Sequence, residues 1–173
     1  MPSREKPTTR RAARSYISDA YSLLEAGATP VSVYVDNVLV SAGSFTMQPG
    51  LDYTVFVWDT GGSIQLELLQ DDNLLPTSSR AKLRLLNGMS GLGAPLTLSV
   101  DYSPVSEYVE LGTASTYSLV TSGSDYQLDV ANANTAQTLL TREDVSLLAN
   151  GVYTYFLAGG GSSAAVGTLR KDR

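Results

Sequence analysis

One thirty-residue block occurs twice in this chain, 100 positions apart, and it dictates most of what the chain can fold into. Ser44–Asn73 reads SFTMQPGLDYTVFVWDTGGSIQLELLQDDN, and Asp144–Arg173 reads DVSLLANGVYTYFLAGGGSSAAVGTLRKDR. Tyr53/Tyr153, Thr54/Thr154, Phe56/Phe156, Gly61/Gly161, Ser63/Ser163, Leu69/Leu169 and Asp72/Asp172 coincide without a gap. Each copy is an apolar run, a corner (Pro49-Gly50 or Asn150-Gly151), a tyrosine-led β-rich run, a Gly-rich turn and a second apolar run. That order predicts a strand, a corner and a hairpin. A shorter echo at an offset of 96 sets Tyr21-Ser22-Leu23 and Gly27 against Tyr117-Ser118-Leu119 and Gly123.

The remaining runs fit the same architecture. Val31, Val33 and Val35 alternate with Ser32 and Tyr34, the period of a half-buried strand, and Asp36-Asn37 turns the chain into Val38–Val40. Lys82–Leu86, Leu96–Asp101, Val105–Leu111, Tyr117–Val120, Tyr126–Val130 and Thr138–Leu140 supply further short strands at the spacing of an antiparallel sandwich. Residues 13–25 carry Ala13, Ile17, Ala20, Tyr21 and Leu24 at helical spacing, with Gly27 placed to end a helix. Their echo at Tyr117 sits among Thr, Val and Ser, where a strand is more natural, so extended structure is expected. The fold class is therefore all-β: an immunoglobulin- or fibronectin-like antiparallel β-sandwich with one incomplete and one complete repeat unit. A basic flexible arm covers 1–15, the incomplete unit 16–76 and the complete unit 77–173. Counted back from the tyrosine echo, the first unit lacks its opening two strands.

At each corner Pro49-Gly50 or Asn150-Gly151 makes the sharp crossing between sheets, because glycine accepts positive φ and proline presets its own. Tyr53 and Tyr153 then fold back, each ring buried and each hydroxyl bonded to corner backbone, as in the tyrosine corner of Greek-key sandwiches. Val55 and Val57, with Tyr155 and Leu157, belong on the tyrosine face; Thr54 and Phe56 belong on the other. PGLDYTVFV is similar to the F-strand entry of fibronectin type III modules. The chain more fully resembles the bacterial domain-of-unknown-function family numbered 4397. The strand Ala81–Asn87, the strand closed by Asp101, the Tyr117–Gly123 stretch and the Gly151–Thr154 block carry this resemblance, over 80–173 well and over 16–75 in part. It implies a secreted or surface-anchored β-sandwich module, an architecture and a location rather than a mechanism. The location it implies is extracellular or at the bacterial cell surface.

Chemistry is sparse. The absence of cysteine and histidine removes thiol nucleophiles, disulfides and Ser-His-Asp triads, and no phosphate loop or nucleophile elbow is present. No cofactor and no metal site is expected. Asp71-Asp72-Asn73 is an oxygen cluster without the spacing of a calcium loop, and reads as solvated turn charges. The net charge of −5 divides into about +4 over residues 1–16 and about −9 over the rest, an acidic body unsuited to nucleic acid. No apolar run is long enough to span a bilayer, and Arg10-Arg11 leads into no apolar signal-peptide core. The expectation is a non-catalytic, exported structural or adhesive module, self-associating into oligomers or polymers through an open sheet edge. The alternative is a carbohydrate-binding module, with Trp58 as the platform for a surface glycan, although core or rim packing is the more natural use of that indole.

Overall fold

Period-two alternation becomes twelve strands in the computed structural model, which describes residues 21–77, 79–160 and 163–173. In the first unit β1 (Gly27–Val35) and β2 (Val38–Met47) form one antiparallel hairpin. β3 (Asp52–Asp59) and β4 (Ile64–Asp71) form another. Asp36 and Asn37 join the first pair with φ of 49° and 65°, the left-handed pair that a two-residue hairpin turn needs. The two hairpins face each other and bury Val31, Val33 and Phe45 in part, with Leu66 close to Gly43.

The second unit is a full sandwich of β5 (Arg80–Ser90), β6 (Leu96–Val100), β7 (Ser103–Val109), β8 (Ser118–Thr121), β9 (Gly123–Asn132), β10 (Thr138–Leu147), β11 (Val152–Gly160) and β12 (Ser163–Lys171). One sheet has the order β12-β11-β5-β8 and the other β10-β9-β6-β7. Alternate residues of β5 and β11 (Ala81, Leu83, Leu85 and Tyr153, Tyr155, Leu157) meet Leu96, Leu98, Leu128, Val130, Val145 and Leu147 in one buried core. At about 25 cal/mol per Å² of apolar area, this layer supplies most of the folding drive.

The all-β sandwich matches the reading of the sequence, with two corrections. β5 runs parallel to β11, whereas all pairs were expected to be antiparallel. Alternation is blind to strand direction, and strands this far apart in the chain need no tight turn to lie parallel. Among the described residues the first unit lacks three opening strands rather than two, since β5, β6 and β7 all precede Tyr117, and the counterpart of β8, Tyr21–Ala26, joins no sheet. Asp101 and Tyr102, both at positive φ, fold β6 straight back into β7, the strands expected over Leu96–Asp101 and Val105–Leu111.

The two corners differ in depth. Tyr153 is 4% exposed and its hydroxyl accepts the N–H of Leu148 at 3.0 Å. Gly151 lies under the ring, where a Cβ would fall 2.4 Å from Cε2. Tyr53 is half-buried and accepts the N–H of Gln48 at 3.2 Å. Gly50 and Asn150 occupy matching left-handed positions, with φ of 75° and 61°. Tyr153→Phe orphans a partly buried N–H and is expected to cost about 1–2 kcal/mol. Tyr53→Phe leaves its N–H to water and is expected to cost roughly half as much or less. Urea unfolding of both variants checks this order.

Candidate docking cleft beside the open edge of β3

Thr54, Phe56 and Trp58 project from β3 towards the second unit and form its seam with the first. Phe56 meets Phe156 edge-on at 5.6 Å, with Leu86 and Ala158 beside them. Trp58 stacks on Phe56 at 5.1 Å, and Gly112 abuts the indole so closely that a Cβ there would sit 2.4 Å from Cζ2. Trp58, read from sequence as a glycan platform, is thus packed into the seam by both units.

Beneath these rings lies a closed circuit of charge. Asp71 Oδ1 receives Nη2 of Arg84 at 2.5 Å, while its Oδ2 accepts from Thr54 (2.7 Å) and Tyr21 (2.6 Å). Arg84 Nε donates to Thr154 Oγ1 at 2.9 Å, and Thr154 donates to Asp172 Oδ2 at 2.6 Å. Asp172 Oδ1 pairs with Arg170 Nε at 2.5 Å, and the Arg170 guanidinium lies 5.0 Å over the Tyr21 ring, which returns the path to Asp71. Arg84 repeats the motif on Tyr117 at 4.6 Å, and the Tyr117 hydroxyl reaches Asp172 at 3.3 Å. Each unit therefore contributes a Thr, an Asp and a Tyr in equivalent roles, with an arginine stacked on each tyrosine.

This arrangement corrects the reading of Asp71-Asp72-Asn73 as solvated. Asp71 and Asn73 are each 5% exposed; Asp72 alone faces water, paired with Lys82 at 2.6 Å. The Lys82 hydrogen bond holds the Asp72 carboxyl below its usual range. The partner of Asp172 by role is Asp71, one place off the ungapped match. The reason is an irregularity in β11–β12 between Ala158 and Gly160, where one extra residue shifts the register that β3–β4 keeps unbroken.

Burial, then the hydrogen bond to Asp71, pushes Tyr21 up to about 12, and burial likewise raises Tyr117. A phenol whose folded pKa exceeds its unfolded value adds stability that is complete below the unfolded pKa and is lost as pH rises through the folded one. Stability is therefore expected to hold to about pH 10 and fall towards pH 12, with tyrosinate absorbance rising alongside loss of the sheet circular-dichroism signal. Tyrosinate growth well below pH 10, with the fold intact, would contradict the burial of these hydroxyls.

The circuit floors an open cleft. Among the described residues β3 pairs with β4 on one edge and with no strand on the other. Along that free edge runs a cleft of about 750 Å³, walled by Tyr21–Leu24 and Ala26 opposite β3 and floored by Leu86, Phe156 and Arg170. Leu23, Leu24, Leu51 and Val57 expose apolar surface around it. In the second unit the same frame, β11 facing β8, holds β5 between its walls. The cleft is thus the place of one strand.

A third tyrosine escaped the sequence reading. The Tyr126 hydroxyl donates to Thr121 O at 2.9 Å with Gly123 beneath its ring. Gly-Ser-Asp-Tyr at 123–126 against Gly-Leu-Asp-Tyr at 50–53 is the signal that would have found it. The basic arm at 1–15, and Gly61/Gly161 as far as Gly161 is concerned, lie wholly or in part outside the described residues.

Residues 13–94 match the family model described as Domain of unknown function (DUF4397), the family indicated by the motif resemblance. The match takes in the described first unit and β5, the half over which the resemblance had been the more partial. Comparison with curated proteins gives no match.

Proposed function

We propose that this chain, whose residues 13–94 match that family model, is a non-catalytic structural or adhesive module of the cell surface that self-associates by strand pairing. One observation carries the reading: among the described residues the second edge of β3 has no strand partner and faces a cleft whose walls are largely apolar. The non-catalytic part has separate support. The buried carboxylates Asp71 and Asp172 are ion-paired and already engaged by hydroxyl donors within the seam, a structural use of both acids. Export rests on the resemblance to surface modules; among the described residues no helix is long and apolar enough to cross a membrane, which bears on neither side. The glycan-platform alternative is weakened by Trp58, whose indole is engaged by Phe56 and Gly112.

Sedimentation velocity across a concentration series tests the reading. The weight-average mass is expected to climb with concentration, and a strict monomer at the highest concentrations would refute self-association.

A further inference from the structure

The second unit displays the occupant that the cleft of the first unit is shaped for. β5 runs parallel to β11 in unbroken register from Val152↔Lys82 to Gly160↔Ser90 and pairs antiparallel with β8 on its other side. It enters with Lys82 N–H donating to Gly151 O and Asn150 N–H donating to Arg80 O, at 2.9 and 2.8 Å. By the 100-residue repeat these corner groups correspond to Leu51 O and Gly50 N–H, both at the mouth of the cleft. The wall across from β3 is Tyr21–Ala26, the counterpart of Tyr117–Ser122 that includes β8. In the second unit the equivalent place holds a single extended segment, the strand β5.

Such a segment has to come from outside β1–β12, each of which is already paired. Residues 1–20 precede the wall at Tyr21 and lie outside the described residues. At about 3.3 Å per residue they reach roughly 65 Å, against roughly 26 Å for the eight residues of β3. They also carry Arg4, Lys6, Arg10, Arg11 and Arg14, whereas the body is acidic and Asp52 lines the cleft. We propose that the cleft is a strand acceptor, filled parallel to β3 by residues within 1–20 of a second copy of this chain. The proposal rests on the self-association reading above and assigns its site. Each copy offers one donor and one acceptor, so the contact is heterologous and propagates as an open head-to-tail chain.

The test compares the full chain, the chain without residues 1–20, and a synthetic peptide of residues 1–20 with a scrambled control. Sedimentation velocity and amide hydrogen exchange along β3 are the readouts. The full chain should associate, with β3 amides slowed in the assembled form. The shortened chain should be monomeric, and the peptide, but not its scramble, should bind it and slow the same amides. A full-length variant with Arg10→Glu, Arg11→Glu and Arg14→Glu keeps the test independent of whether the shortened chain folds, and should associate about tenfold or more weakly. Undiminished association by the shortened chain or the charge-reversed variant overturns the donor assignment, yet leaves self-association standing through another edge. A monomeric full chain whose β3 amides are already slow shows each copy filling its own cleft, and overturns both readings.

Discussion

Asp71→Ala is expected to lower the free energy of unfolding by about 3–5 kcal/mol, because it strands the Arg84 guanidinium in the seam. The two side chains are 0% and 3% exposed, so water cannot replace the lost carboxylate without opening the units. Thr54 and Tyr21 lose their acceptor in the same step. The pair itself contributes far less than its disruption costs, since desolvation offsets most of the attraction between two buried charges. Asp71→Leu combined with Arg84→Met should therefore recover much of the loss, with the remainder reflecting the orphaned hydroxyls. Chemical denaturation of the single and double variants separates these cases. Equal losses in both would mean that packing, not charge, governs the site.

Phe156→Ala should cost about 3–5 kcal/mol, the range for emptying a buried aromatic position. Phe156 is 7% exposed and is the residue of β11 that crosses to Phe56, while its neighbours Tyr155 and Leu157 point into the sandwich core. The loss therefore falls on the coupling between units more than on either core. Phe56→Ala should produce a similar loss. A double-mutant cycle between them should give an interaction of about 0.5–1.5 kcal/mol for the edge-on pair. Additive losses would show that the rings pack on their surroundings independently. Gly88 belongs to the same contact, since a Cβ there would sit 2.8 Å from Phe156 Cε2.

The repeat made the strands, corners and paired faces legible. Tyr153, Tyr155 and Leu157 share the inner face, and Phe156 turns to the other, because side chains alternate along any strand. The charge circuit was not legible, for two physical reasons. Composition does not say which of three adjacent oxygen-bearing residues is buried, and Asp71 looks no different from Asp72 until Arg84 is set against it. An ungapped comparison also hides the one-residue irregularity of β11–β12, and so matched Asp172 to the wrong aspartate. The packing of Trp58 was expected, but not its place: its counterpart is Ala158, and the indole fills space that only the meeting of both units creates. The cleft was legible as missing strands, but its width and its walls required the second unit as a template.

Tyr21 and Arg170, near the two ends of the described chain, lie face to face, and the segment from Tyr21 to Ala26 joins no sheet. Tension applied between Tyr21 and the end of β12 would therefore bypass the hairpins and the sandwich and act first on this short unsupported strip. Under load the molecule should yield by a small peel at the seam before any sheet is sheared, giving a tether with a soft first extension and a stiff remainder.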